Sequence, residues 1–127
     1  MTKQLIYTEN APAPGGAYSQ GLRVGNFVFT SGQGPWHPKT HQVIGETIEE
    51  QTEQTLENIR HILEAAGASM ENVVKATVYL SDMDLFSGFD QVYSRHFPNI
   101  KPVRTTVGSQ LKGILIEIDV IAHTDKS

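Results

Sequence analysis

The stretch at residues 114–123, ILIEIDVIAH, alternates in a way that suits a β-strand. Strand side chains point to opposite faces in turn, so Ile114, Ile116, Ile118, Val120 and Ala122 form one apolar row. Leu115, Glu117, Asp119, Ile121 and His123 form the other. The first row can pack beneath helices. The second mixes carboxylates with large aliphatic groups. A plain solvent face would hold fewer aliphatics, and a core would not hold the charges unpaired. A subunit interface containing a polar pocket reconciles the two.

Two segments supply the helices that such a strand needs. Thr47 followed by Glu50 is a capping box, in which each side chain satisfies a free backbone donor of the other residue. Ile48, Thr52, Thr55, Leu56, Ile59, Ile62, Leu63 and Ala66 then recur at helical spacing, and Gly67 ends the run. Glu46, Glu49, Glu50 and Glu53 read as a solvated first turn favoured by the helix dipole rather than as a metal site. A second helix is expected in DLFSGFDQVYSRHF, burying Leu85, Phe86, Phe89, Val92, Tyr93 and Phe97, with Gly88 as its weak point.

The remaining segments read as strands. KQLIYT is a short one, and AYSQGLRVGNFVFTSG is a hairpin turning at Gly25-Asn26. NVVKATVYLSD is a strand with Val74, Ala76, Val78 and Leu80 on one face and Lys75, Thr77 and Tyr79 on the other. VRTTV and ILIEIDVIAH read as a strand pair joined by GSQLKG as a hairpin connection. ENAPAPGG and QGPWHPKTHQVIGE are loops by their prolines and glycines. The sum is an α+β sandwich with both helices on one face of the sheet.

The 127 residues suffice for one core, so residues 1–127 are expected to form one domain. A content of 39% apolar and 19% charged residues fits a globular chain and argues against disorder. A net charge of −4 disfavours nucleic-acid binding, which needs a basic face. Without cysteine the chain has no disulfide, thiolate nucleophile or zinc–thiolate site. No signal-peptide core and no stretch near the ~20 apolar residues of a membrane span appear, so the cytoplasm is the expected compartment.

In KPVRTTVGSQ, residues 101–110, Arg104 stands without an acidic neighbour in sequence. Its planar fork can grip a carboxylate by two parallel hydrogen bonds. Arg104 and Glu117 are expected on neighbouring strands, sharing the face away from the helices. A glutamate there can take a proton from water and pass it on. On pattern alone, a plain cross-strand ion pair is the simpler reading.

The chain resembles the RidA (YjgF) family of small imine and enamine deaminases, also known as the L-PSP endoribonuclease-like family. The resemblance rests on TENAPAPGGAYSQG, VFTSGQGP, EEQTEQTLENIRHILEAAG, VVKATVYLSDMDLF, Tyr93 with Phe97, PVRTTV and IEIDVIA, and it covers essentially the whole chain. It implies a chorismate-mutase-like subunit of ferredoxin-like β–α–β–β–α–β type, assembled as a homotrimer with clefts between subunits. It also implies hydrolysis of 2-aminoacrylate, 2-iminobutanoate and similar compounds to 2-oxo acids and ammonia, without metal or cofactor. Arg104 matches the arginine that binds the substrate carboxylate, and Glu117 the glutamate that orients water. Tyr18, Ser31, Gly32, Asp90 and Thr106 match further positions that contact substrate.

Three positions depart from the family pattern. Ala17 replaces a proline, Thr106 a common cysteine, and Asp90 a common asparagine, the last adding negative charge near an anionic substrate. Two other functions stay open. One is a non-catalytic trimeric module that binds small carboxylates or a protein partner. The other is the ribonuclease or translation-inhibitor activity of the family's older description. Among the remaining residues, Ser31 lacks the G-x-S-x-G context of a nucleophile, and Pro38 breaks the helix that His37 and His41 would need to share a metal.

Overall fold

The computed structural model describes residues 2–125 as one mixed six-stranded sheet with two α-helices. The strands are β1 (Lys3–Ile6), β2 (Gly21–Val24), β3 (Phe27–Thr30), β4 (Val73–Leu80), β5 (Val103–Gly108) and β6 (Ile116–His123). The helices are α1 (Ile48–Ala65) and α2 (Phe86–His96), each preceded by a 3₁₀ turn or loop. Among the described residues, no helix is long and apolar enough to cross a membrane.

The sheet order is β1-β2-β3-β6-β4-β5. β6 runs antiparallel to both β3 and β4, so those two are parallel to each other across it. β4 and β5 are parallel neighbours. Parallel strands need crossovers, and α1 and α2 supply them in succession. Both crossovers advance the same way across the sheet, and the common handedness of such units puts both helices on one face. α1 packs on β3 and β6 and against α2.

Two expectations are corrected here. From β3 onward the order is β–α–β–α–β–β, not the ferredoxin-like β–α–β–β–α–β. The segment after β5 is also no hairpin, because β5 and β6 are not neighbours. It crosses the end of β4, where Ser109 N donates to Leu80 O (2.9 Å) and Ser81 N to Leu115 O (3.0 Å). β6 is drawn into the centre because its Ile116, Ile118, Val120 and Ala122 row is almost wholly apolar, and only a central strand under the helices buries all of it.

The helix expectations hold for α1, and for α2 they hold at Phe89, Val92, Tyr93 and Phe97, whereas Leu85 and Phe86 are only partly buried and Leu85 precedes the helix. Thr47 accepts from Glu50 N (3.1 Å) while Glu50 Oε1 accepts from Thr47 N (3.2 Å), completing the capping box. All eight residues of the proposed stripe on α1 are buried. Gly67 closes the helix with φ 80°. Gly88 lets the helices approach: a Cβ there would stand 2.7 Å from Ile48 Cγ2. In β4 the expected alternation fails at its start, where a register shift between Val73 and Lys75 buries Val73 and exposes Val74.

The face away from the helices is uncovered in this chain. Phe27, Phe29 and Leu5 lie on it, with Leu5 64% exposed, and Val103 and Val107 extend it to the β5 edge at 66% and 40% exposure. The same face carries Glu117, Asp119, Lys75 and Tyr79.

Candidate functional site

The residues singled out from sequence fall into two groups on opposite faces of the sheet. β5 pairs with β4 so that Arg104 stands opposite Ala76, a core residue beneath the helices. Arg104 therefore points toward α2, while Val103, Thr105 and Val107 take the open face. Glu117 pairs with Tyr79 and lies on the open face. The expected shared face and neighbouring strands are both overturned: β4 separates β5 from β6, and parallel pairing fixes the opposite side for Arg104. No cross-strand Arg104–Glu117 pair forms within the chain.

The first group is built on α2 and β5. Arg104 Nη1 donates to Asp90 Oδ1 at 2.7 Å. The guanidinium carbon lies 4.7 Å from the Tyr93 ring centroid, 5.0 Å from that of Phe89 and 5.4 Å from that of Phe86. Cation–π attraction to three faces holds the fork in place. Burial pushes the Tyr93 hydroxyl up to about 12, with nearby Arg104 lowering it and Asp90 raising it. Thr106 follows on the same side of β5, opposite Val78. Tyr93 Oη and Thr106 Oγ1 are buried without a hydrogen-bond partner among the described residues.

The aromatic wall is the part that sequence reasoning missed. Phe86, Phe89 and Tyr93 recur at helical spacing, which points to the core, and Phe89 and Tyr93 do join it. Their second role appears only through the β4–β5 pairing. An arginine in the strand that follows an aromatic helix is the available signal, and it is weak.

The second group is built on a break in the β3–β6 ladder. The ladder runs to Phe29 opposite Ile121 and resumes at Gln33 opposite Ile118. Thr30, Ser31 and Gly32 thus oppose only Asp119 and Val120, and one residue bulges outward. Thr30 Oγ1 takes up the Val120 N–H (3.0 Å) that the bulge releases. Gly32 is left pressed against the Glu117 side chain, where a Cβ would stand 2.9 Å from the carboxyl carbon. Ser31 N donates to Gln20 O (3.0 Å). Gln20 is buried, and its side chain accepts from Thr8 N (2.8 Å) and donates to Pro12 O (2.9 Å), stitching down the proline-rich loop. Tyr18, two residues earlier, is half exposed, and its hydroxyl accepts from Gly15 N (2.9 Å).

Partial burial raises the Glu117 carboxyl above the ordinary glutamate range, and the Asp119 charge adds to the shift. Asp119 is raised as well, chiefly by burial, with Lys75 opposing. Such a glutamate accepts a proton more readily than an exposed one.

Elsewhere, His37 and His41 lie in a loop and not on a helix. His37 Nδ1 accepts from Lys39 N (3.0 Å) and Thr40 N (3.2 Å) inside a tight turn. Glu53, Glu57 and His96 bring three ligand-type atoms within 4.8 Å of one another. Ion pairs already engage them: Glu57 takes both Nε (3.1 Å) and Nη2 (2.6 Å) of Arg60, and His96 Nε2 lies 3.0 Å from Glu53 Oε1.

Comparison with known proteins adds the family. Residues 8–124 match the profile described as Endoribonuclease L-PSP. A RutC family protein of Pyrococcus horikoshii is 50% identical over 125 residues, covering 97% of this chain and 99% of its own. Reactive Intermediate Deaminase A, chloroplastic, of Arabidopsis thaliana is 40% identical over 124 residues, covering 96% of this chain and 66% of its own. The crystal structure of RidA from the Antarctic bacterium Psychrobacter superposes with a TM-score of 0.91 at 39% identity, covering 95% and 99% of the two chains.

Proposed function

We propose, from the premise that this chain belongs to the RidA/YjgF (endoribonuclease L-PSP) family, that it hydrolyses reactive 2-imino and enamino acids to 2-oxo acids and ammonia. The observation that carries the reading is Arg104: a guanidinium braced by one carboxylate and three rings, with Nε and Nη2 making no hydrogen bond among the described residues. Such a fork suits a substrate carboxylate.

Arg104 and Glu117 face opposite ways within one chain, so the complete site needs a second copy. We place it between protomers of a homotrimer. The Asp90–Arg104–Thr106 group of one protomer would meet the Tyr18–Ser31–Gly32–Glu117 group of its neighbour. The uncovered face with Leu5, Phe27, Phe29, Val103 and Val107 supports such assembly, since burying that apolar surface is favourable.

In the proposed reaction, Arg104 holds the carboxylate and sets the C=N carbon beside a water. Enamino acids enter after tautomerising to the imine. Glu117 removes a proton as the water oxygen bonds to that carbon, and the C–N π pair moves to nitrogen. Glu117 returns that proton to nitrogen, giving the neutral carbinolamine. This then collapses: the hydroxyl proton passes through Glu117 to nitrogen, the O–H pair becomes the C=O bond, the C–N bond breaks, and ammonia leaves a 2-oxo acid behind. Positioning and proton transfer carry the acceleration.

A coupled assay tests this. A pyridoxal-phosphate dehydratase generates the imine, and 2-oxo acid release is followed with and without the protein. Faster release supports the reading, and a rate equal to buffer overturns it for these substrates. Light scattering of the same preparation should give three times the chain mass.

A further inference from the structure

We infer that Asp90 makes the Arg104 site select zwitterions: ligands with a cationic nitrogen beside their carboxylate, in preference to plain 2-oxo acids. The inference rests on the proposed carboxylate-binding role of Arg104.

Three observations carry it. Arg104 Nη1 spends one bond on Asp90 Oδ1 at 2.7 Å, while Asp90 Oδ2 has no hydrogen-bond partner among the described residues. The arginine side chain is 21% exposed and that of Asp90 46%, so the pair opens to ligand rather than being sealed into the core. Phe86, Phe89 and Tyr93 pack around the guanidinium and add no charge to balance Asp90.

The electrostatics follow. A ligand carboxylate bound at the free edge of Arg104 comes close to the Asp90 charge, and two like charges in a partly desolvated site disfavour each other. A cationic nitrogen on the adjacent carbon reverses the sign. Carboxylate then lies on guanidinium and nitrogen on Asp90 Oδ2, so opposite charges alternate around the site. A 2-oxo acid has no such nitrogen and keeps only the repulsion. Asp90 thereby favours the protonated iminium, whose carbon is the more electrophilic form toward water, and weakens retention of the 2-oxo product. Asparagine at this position could still accept from Arg104 Nη1 through its amide oxygen, by a weaker bond to an uncharged acceptor, and would not discriminate.

Calorimetry on the full chain with 2-aminobutyrate and 2-oxobutanoate separates the roles. The wild type should bind the amino acid more tightly. Asp90→Asn should move the affinity ratio toward the 2-oxo acid by about tenfold, as expected for losing one hydrogen bond to a charged group. Asp90→Ala should move it the same way. Weakening of both ligands alike would mean that Asp90 only braces Arg104, and would overturn the inference, as would an unchanged ratio. If Arg104→Ala leaves both affinities intact, or the wild type binds neither ligand, the proposed function falls and the inference with it. Arg104-dependent binding with an unmoved ratio sinks the Asp90 inference alone.

Discussion

The Glu117 carboxyl group rests on the backbone of Gly32, so closely that a methyl group there would stand 2.9 Å from its carboxyl carbon. The contact exists because a bulge between Phe29 and Gln33 folds Gly32 over β6. It ties the proposed proton acceptor to the loop that also carries Ser31.

Gly32→Ala should therefore displace the Glu117 carboxylate without unfolding the chain, since the obstructed atoms are the end of a flexible side chain. Deaminase acceleration should fall toward that of Glu117→Gln, while circular dichroism stays unchanged. Full activity in Gly32→Ala would remove Glu117 from the proposed chemistry.

The raised Glu117 carboxyl has opposite consequences for stability and activity. Its folded form binds a proton more tightly than the unfolded chain does, so ionisation costs stability at pH values above its folded range. That cost is relieved as pH falls through the raised value. Glu117→Gln should raise the melting temperature at pH 7, and the gain should shrink in acid. The wild-type rate should fall with acid at a pH above the usual glutamate range. A variant less stable than wild type at pH 7 would contradict the burial account.

Arg104→Ala removes the proposed carboxylate receptor and leaves Asp90 half exposed to water. Losing a hydrogen bond to a charged group costs about 1.5–3 kcal/mol, so kcat/KM should drop roughly ten- to a hundredfold in the coupled assay. Arg104→Lys keeps the charge but not the planar fork, and should recover only part of the loss. Equal rates for wild type and Arg104→Ala would refute the receptor role.

Gly88→Ala should destabilise the fold even though alanine is the better helix former by about 1 kcal/mol. Its methyl would meet Ile48 Cγ2 at 2.7 Å and Glu49 Oε2 at 2.8 Å, forcing α2 off α1. Overpacking of this kind costs about 1–3 kcal/mol, which urea denaturation resolves. A higher denaturation midpoint would mean that the helices separate freely.

Much of the fold was legible because it is written locally. Thr47 and Glu50 begin α1, Gly67 ends it, and every apolar position in the stripe is buried as periodicity demands. The alternation in 114–123 identified both rows of β6, and the Gly25-Asn26 pair turns the β2–β3 hairpin with φ 59° at Gly25. The bulge at Val73 was not legible, since Val73 and Val74 are alike and only pairing with β6 tells them apart.

What the sequence alone determined, then, is which segments form helices and strands, which rows of side chains seek the core, and to which family the chain belongs. Periodicity, capping and turn chemistry act over a few residues, so they survive in the linear order. Only the tertiary structure decided that β6 inserts between β3 and β4, that Arg104 turns toward α2, and that Glu117 faces the other way. Strand pairing joins residues far apart in the chain. Shifting a strand by one position or one neighbour reverses the face of every side chain on it, and nothing local to Arg104 records that choice.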